Sequence, residues 1–197
     1  MDLSFSEEFL QVLEVSRDEA LRTGWHNICP DHIMLAILRL GSPRINAALE
    51  GAGVDPSLFK ESIDEAIFIS EQVPWSERET INLSDSSLSM LQHASLEAAR
   101  CHDNSLSPLH FLLAVCRIAG CYSHDFLSTH GVGLRPLIEG AGEDWSLYGL
   151  APREKSEAAA PDPQALAAAI EQRIREGYTT DNPIVSYAFY PSSKLGN

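Results

Sequence analysis

The sequence predicts an all-α protein: two copies of one four-helix unit, eight helices in all, followed by a C-terminal extension. Three observations carry this. Shifting the chain by 78 positions lays residues 5–61 on residues 83–139 without a gap, and 15 of the 57 pairs are identical; chance pairing gives about three. Apolar residues in both copies recur at helical rather than alternating spacing. Both copies also place a proline at the same point, Pro30 and Pro108, where the first turn of a helix has no use for the missing N–H.

Each copy reads as follows. Ser6 and Ser84 are N-cap candidates, each followed by an acidic residue that suits the positive end of a helix. The first helix then carries Phe9, Leu10, Leu13 and Ala20 in copy one, and Leu88, Leu91 and Ala98 in copy two. The second helix starts at Pro30 and Pro108, with Ser107 a better cap than Cys29. Residues 32–38 and 110–116 are apolar nearly all round, so this helix is expected at the centre. A short third helix is expected around 46–50 and 124–128, with Gly53 and Gly131 supplying the turn after it. A fourth begins near Pro56 and Leu134. Residues 71–82 link the copies, and Trp75 is expected to pack into the seam. No strand is expected inside either copy. After Gly142 the repeat stops. Residues 151–163 read as an Ala/Pro-rich linker, 162–176 as a helix with Leu166, Ile170 and Ile174 on one face, and 183–190 as an aromatic, β-prone tail.

Composition narrows the function classes. The 28 acidic against 14 basic residues give a net charge of −14, which disfavours a phosphate-binding groove, so neither nucleic acid nor an anionic membrane surface is an expected partner. The longest apolar uncharged run, 105–116, is too short to span a bilayer, and no leader-like segment opens the chain. A cytoplasmic location follows as the expectation. Cys29, Cys101, Cys116 and Cys121 are then expected as reduced thiols. Cys116-x4-Cys121 with His124 and His130 fits no zinc spacing, and Cys116 falls in the apolar helical run, so no metal site is expected. No Gly-x-x-x-x-Gly-Lys-Ser/Thr occurs, so no nucleotide cofactor is expected either.

Residues 3–142 resemble the Clp N-terminal double-repeat domain, the module at the front of ClpA, ClpB and ClpC unfoldases, without its AAA+ ATPase modules. The resemblance rests on the opening helix from Phe5-Ser6-Glu7 to Glu19-Ala20. It rests also on Pro30-Asp31-His32-Ile33 with Pro108-Leu109-His110-Phe111, and on the Leu-x-x-x-Gly-Val turns ending at Val54 and Val132. It implies a pseudo-twofold tandem, with repeat one at 3–70 and repeat two at 82–142, inside a domain at 1–142. Residues 143–197 would be linker, short helix and tail, an addition that fits a free-standing copy better than a fragment.

The resemblance implies substrate or adaptor binding and no chemistry. The expected function is a non-enzymatic accessory protein of Clp-type chaperone and protease machinery. Its partners would be an AAA+ Clp unfoldase, a Clp protease core, or unfolded peptide clients. The rival readings are a structural subunit that stabilises a Clp protease core, and a sensor or sequestering protein. By the family motif, the peptide or adaptor groove would involve Asp31, His32, Leu109 and His110, with no catalytic residue. In ClpC-type modules the acid at the Asp31 position helps recognise phosphorylated arginine, and a carboxylate suits a guanidinium. Copy two has Leu109 there, so at most half of such a paired site is kept. The plainer reading of Asp31 is a charge favouring its own helix N-terminus, and of His32 and His110 a structural bond in a buried first turn. Glu19/Arg22 and Glu97/Arg100, at i,i+3, read as helix-surface ion pairs.

Overall fold

A computed structural model describes residues 4–69 and 73–148. Eight α-helices and two 3-10 turns account for most of them. Copy one holds α1 (Glu7–Thr23), α2 (Pro30–Leu40), α3 (Pro43–Gly51) and α4 (Pro56–Ile67). Copy two holds α5 (Asp85–Arg100), α6 (Pro108–Arg117), α7 (Tyr122–Thr129) and α8 (Leu134–Gly140). The 3-10 turns are Trp75–Thr80 in the link and Trp145–Tyr148 after α8. The extension read from the sequence, including the 162–176 helix and the 183–190 tail, lies outside the described residues.

Local chemistry starts these helices where the sequence places them. Ser6 and Ser84 accept the N–H groups of Phe9 and Ser87, each at 3.2 Å. Asp55 Oδ1 does the same for Ser57 at the head of α4. At α2 and α6, Cys29 and Ser107 form a capping box with the histidine three residues on. Their backbone N–H groups go to Nδ1 of His32 (2.9 Å) and His110 (3.1 Å). Histidine thus fills the place that Glu or Gln takes in a reciprocal capping arrangement.

The two copies are interlocked rather than placed side by side. Within a copy, α1 packs on α2 and α5 on α6; across copies, α3 packs on α8 and α4 on α7. Phe59 of α4 stacks on Phe126 of α7 with ring centroids 4.6 Å apart. Where α3 meets α8, Gly51 and Gly140 let backbones touch. A Cβ on Gly140 would sit 2.7 Å from the Ala47 carbonyl oxygen, and one on Gly51 would sit 2.8 Å from the Gly140 Cα.

Short extended segments complete the exchange, a departure from the strand-free expectation. Asn27–Ile28 (β1) pairs in parallel with Asn82–Leu83 (β2), and Phe5 bridges Leu106. The repeat relates these: Phe5 corresponds to Leu83 and Ile28 to Leu106. Accordingly Ser84 N–H donates to the Ile28 carbonyl at 3.0 Å, and Ser6 N–H to the Leu106 carbonyl at 2.9 Å. Two residues give no readable alternation, so the pairing is invisible to periodicity.

Central α2 and α6 are buried along nearly their whole length, with Ile33, Leu35, Phe111 and Leu113 fully so. Around them the buried face of α1 runs through Phe9, Val12, Ser16, Glu19, Ala20 and Thr23. Leu10 and Leu88, read from the sequence as part of the apolar stripe, instead face out at 49% and 47% exposure. Trp75 also departs from expectation and is 67% exposed. The link is held by buried Val73 and Ile81 and by Arg78, whose Nε donates to Asp18 at 2.6 Å. The Trp75 ring stays in solvent under the Arg78 guanidinium, 5.5 Å from it. The packing continues past Gly142, because Trp145 sits against the core.

Candidate functional site

The four motif residues stand at the starts of α2 and α6, and all are buried. Asp31 lies at the start of α2, yet its carboxylate serves α7. Oδ1 accepts the Ser123 N–H (2.7 Å) and hydroxyl (2.5 Å), and Oδ2 accepts the Tyr122 N–H (3.1 Å). These are first-turn N–H groups that α7 cannot satisfy itself, so Asp31 caps a helix 92 positions away in the chain. The same position in copy two is Leu109, and the repeat equivalent of Ser123 is Ile45. Both are buried in the core at 1% exposure. One seam is polar and hydrogen-bonded; its partner seam is apolar at both positions.

His32 is held through both ring nitrogens and His110 through Nδ1. In each, Nδ1 accepts a backbone N–H, which leaves the proton on Nε2. His32 Nε2 then lies 3.0 Å from Thr23 Oγ1, whose hydroxyl donates to the Glu19 carbonyl at 2.8 Å. Burial, helped by the Arg22 charge, pushes the His32 pKa down to about 4. Burial also lowers that of His110, against the pull of Asp103, whose Oδ2 stands 3.0 Å from Nε2 but off the N–H line, since the ring nitrogen makes no hydrogen bond. Neutral histidines that already act as caps are poorly placed to shuttle protons.

Beside them lies a pair of buried carboxylates that the sequence reading put on the surface. Glu19 is 3% and Glu97 2% exposed. Each gathers arginines from two helices: Arg22 and Arg39 for Glu19, Arg100 and Arg117 for Glu97. The i,i+3 partner was legible; the second arginine, from the neighbouring helix, turns the pair into a buried clamp. Copy one's clamp is the better satisfied, because Arg22 also reaches Asp64, whereas Glu97 Oε2 and Arg117 Nε and Nη2 lack hydrogen-bond partners. Burial raises the thiol pKa of Cys29 and Cys116 and pushes that of Cys121 up to about 12, so none of the three is a ready thiolate. Among the described residues no three His, Cys, Asp or Glu side chains cluster as metal ligands.

An open cleft lies elsewhere. A cleft of about 490 Å³ runs between the outer face of α1 and the β1–β2 link. Ile28 and Ile81 are buried at its base. Leu13 and Leu83 stand partly buried on its walls, Leu10 is exposed at its edge, and Glu14, Arg17 and Asn82 supply the polar groups. No motif marks these residues. The signal available was the repeat itself, which aligns Leu10 with Leu88, both of which stay exposed.

Residues 4–128 match the Clp repeat N-terminal domain family. The chain belongs to that family. Among relatives, the chaperone protein ClpB of Oceanobacillus iheyensis is 25% identical over 179 residues, covering 88% of this chain and 22% of that protein. The negative regulator of genetic competence ClpC/MecB of Bacillus subtilis is 25% identical over 130 residues, 66% of this chain and 16% of the relative. The chain therefore spans about a fifth of the length of the curated relatives it matches. Two solved N-terminal domains share its fold. That of ClpD from Arabidopsis thaliana has a TM-score of 0.52 at 16% identity, covering 70% of this chain and 94% of that one. That of Hsp104 from Candida albicans has 0.56 at 14%, covering 70% and 89%.

In this Clp N-repeat domain the all-α tandem expected from the repeat is the observed architecture. The four motif positions, Asp31, His32, Leu109 and His110, are buried, and Asp31 joins the copies. The Asp31 oxygens already accept three hydrogen bonds. A guanidinium there would have to displace the α7 N-terminus.

Proposed function

We propose that this Clp N-repeat domain works as a non-enzymatic binding module of Clp-type protein quality control, in the cytoplasm, and that it takes extended apolar polypeptide in the cleft along α1. The observation that carries this is the cleft itself: solvent-open, floored by Ile28 and Ile81, edged by the half-exposed Leu10. Such concave apolar surface with a few polar groups is the usual form of a binding site. Family membership supports the machinery, and the interior placement of His32, His110, Glu19 and Glu97 supports a role without catalysis. No described helix is long and apolar enough to cross a membrane. The partner that would receive the bound segment is a Clp unfoldase or a Clp protease core.

The test is a titration of fluorescein-labelled, permanently unfolded polypeptide followed by anisotropy, with a folded protein as control. Saturable binding to the unfolded chain alone, weakened about tenfold or more by Leu13→Asp, is the expected result, because one buried leucine contributes on the order of 2 kcal/mol. Stoichiometric association with a Clp peptidase core and no affinity for unfolded chains would replace this reading with that of a docking subunit.

A further inference from the structure

We propose that Arg17 sets the specificity of this cleft, so that the apolar segment it takes carries an acidic side chain, Asp or Glu, opposite Arg17. The inference deepens the reading above and rests on it.

Arg17 is the cation among the residues lining the cleft, and its guanidinium makes no hydrogen bond among the described residues. Its Nε is buried without a partner. The nearest carboxylates, Glu14 and Glu79, stand 3.9 and 3.6 Å from Nη1, outside hydrogen-bond reach. Both are engaged elsewhere: Arg78 donates to Glu14 Oε2, to Glu79 Oε1 and to Asp18 Oδ1 at 3.1, 3.1 and 2.6 Å. Arg78 thus donates hydrogen bonds to these carboxylates, while Arg17 is left with two longer ion pairs and no hydrogen bond among the described residues. The side chain of Arg17 is 26% exposed and only its Nε is closed off, so a carboxylate arriving with an apolar segment can reach the outer guanidinium nitrogens and would gain a charge-assisted bond there.

The repeat supplies a contrast. In copy two the equivalents of Glu14 and Arg17 are Gln92 and Ser95, while Leu88 and Leu91 keep the apolar character of Leu10 and Leu13. The charge is thus specific to copy one, where the link residues Ile81, Asn82 and Leu83 close the cleft. The net charge of −14 opposes an acidic segment at long range, but at physiological salt that repulsion is screened beyond about 8 Å, whereas the contact with Arg17 is short-ranged.

Three labelled apolar peptides of one sequence, differing only in a central Glu, Gln or Lys, test this by anisotropy against wild type and Arg17→Gln. The expected result is that wild type binds the Glu peptide about tenfold more tightly than the Gln peptide, with the Lys peptide weakest. In Arg17→Gln the Glu and Gln peptides become equal while its melting curve stays that of wild type. Equal binding of the Glu and Gln peptides to wild type, or preference for Lys, overturns the role of Arg17 and leaves apolar recognition standing. Failure of all three peptides to bind wild type overturns both.

Discussion

Asp31 and Ser123 sit 92 positions apart and share two hydrogen bonds, from the serine N–H at 2.7 Å and its hydroxyl at 2.5 Å to one carboxylate oxygen. Their repeat equivalents, Leu109 and Ile45, are both apolar and both buried. The two copies have thus diverged in matched pairs. A carboxylate was kept where α7 offers bare N–H groups and a serine, and lost where an isoleucine faces the same seam.

Asp31→Ala is therefore expected to destabilise the domain by about 2 kcal/mol in urea unfolding, since it strips a buried cap. The double variant Asp31→Leu/Ser123→Ile copies the apolar seam, and it is expected to be more stable than Asp31→Leu alone. A non-additive double-mutant cycle is the readout.

Gly140→Ala is expected to cost about 1–3 kcal/mol, because its Cβ meets the Ala47 carbonyl and the Ala48 backbone, which cannot yield as a side chain can. Gly133→Ala is the control. It has φ −100° and only Pro136 Cδ at 3.6 Å, so no backbone clash arises and its cost should be that of an alanine at the α8 N-cap, about 1 kcal/mol or less.

The interlocked copies were only half legible in the sequence. Helix starts show because caps and N1 prolines act through neighbours: Ser6 needs only Phe9, and Pro30 only its own ring. The repeat shows because Leu35/Leu113 and Pro30/Pro108 were held to the same local duties. What joins the copies does not show. The Asp31–Ser123 cap, the Arg39 that buries Glu19 and the β1–β2 pairing are contacts between segments far apart in sequence, and each uses a residue with an adequate local explanation. The cleft was hidden for a related reason: Leu10 and Leu13 match a core stripe until the packing shows that Phe9, Val12 and Ala20 fill that face.

His32 makes stability depend on pH. Its folded pKa of about 4 lies below its ordinary 6.5, so the unfolded chain takes up the proton first as pH falls. Its contribution is present above 6.5, declines between 6.5 and 4, and levels off below, with a total on the order of 3 kcal/mol. In His32→Gln, whose side-chain oxygen can accept the same Cys29 N–H, the slope of unfolding free energy between pH 6.5 and 4 should flatten.

Glu19→Gln should be more harmful than Glu97→Gln. The first leaves two arginines, Arg22 and Arg39, with a weakened buried partner, on the order of 3 kcal/mol for a broken buried pair. The second disturbs a clamp already short of hydrogen bonds. Comparing the two midpoints of urea unfolding decides the order.

The claim that this Clp N-repeat domain captures extended apolar polypeptide along α1 is tested most directly by a ¹H–¹⁵N titration of the labelled protein with an unfolded chain. Saturable shifts confined to the amides of Leu10, Leu13, Glu14, Arg17, Ile28 and Leu83 are the predicted result. Shifts confined to the far side, on α3 and α8, or none at all, would contradict it.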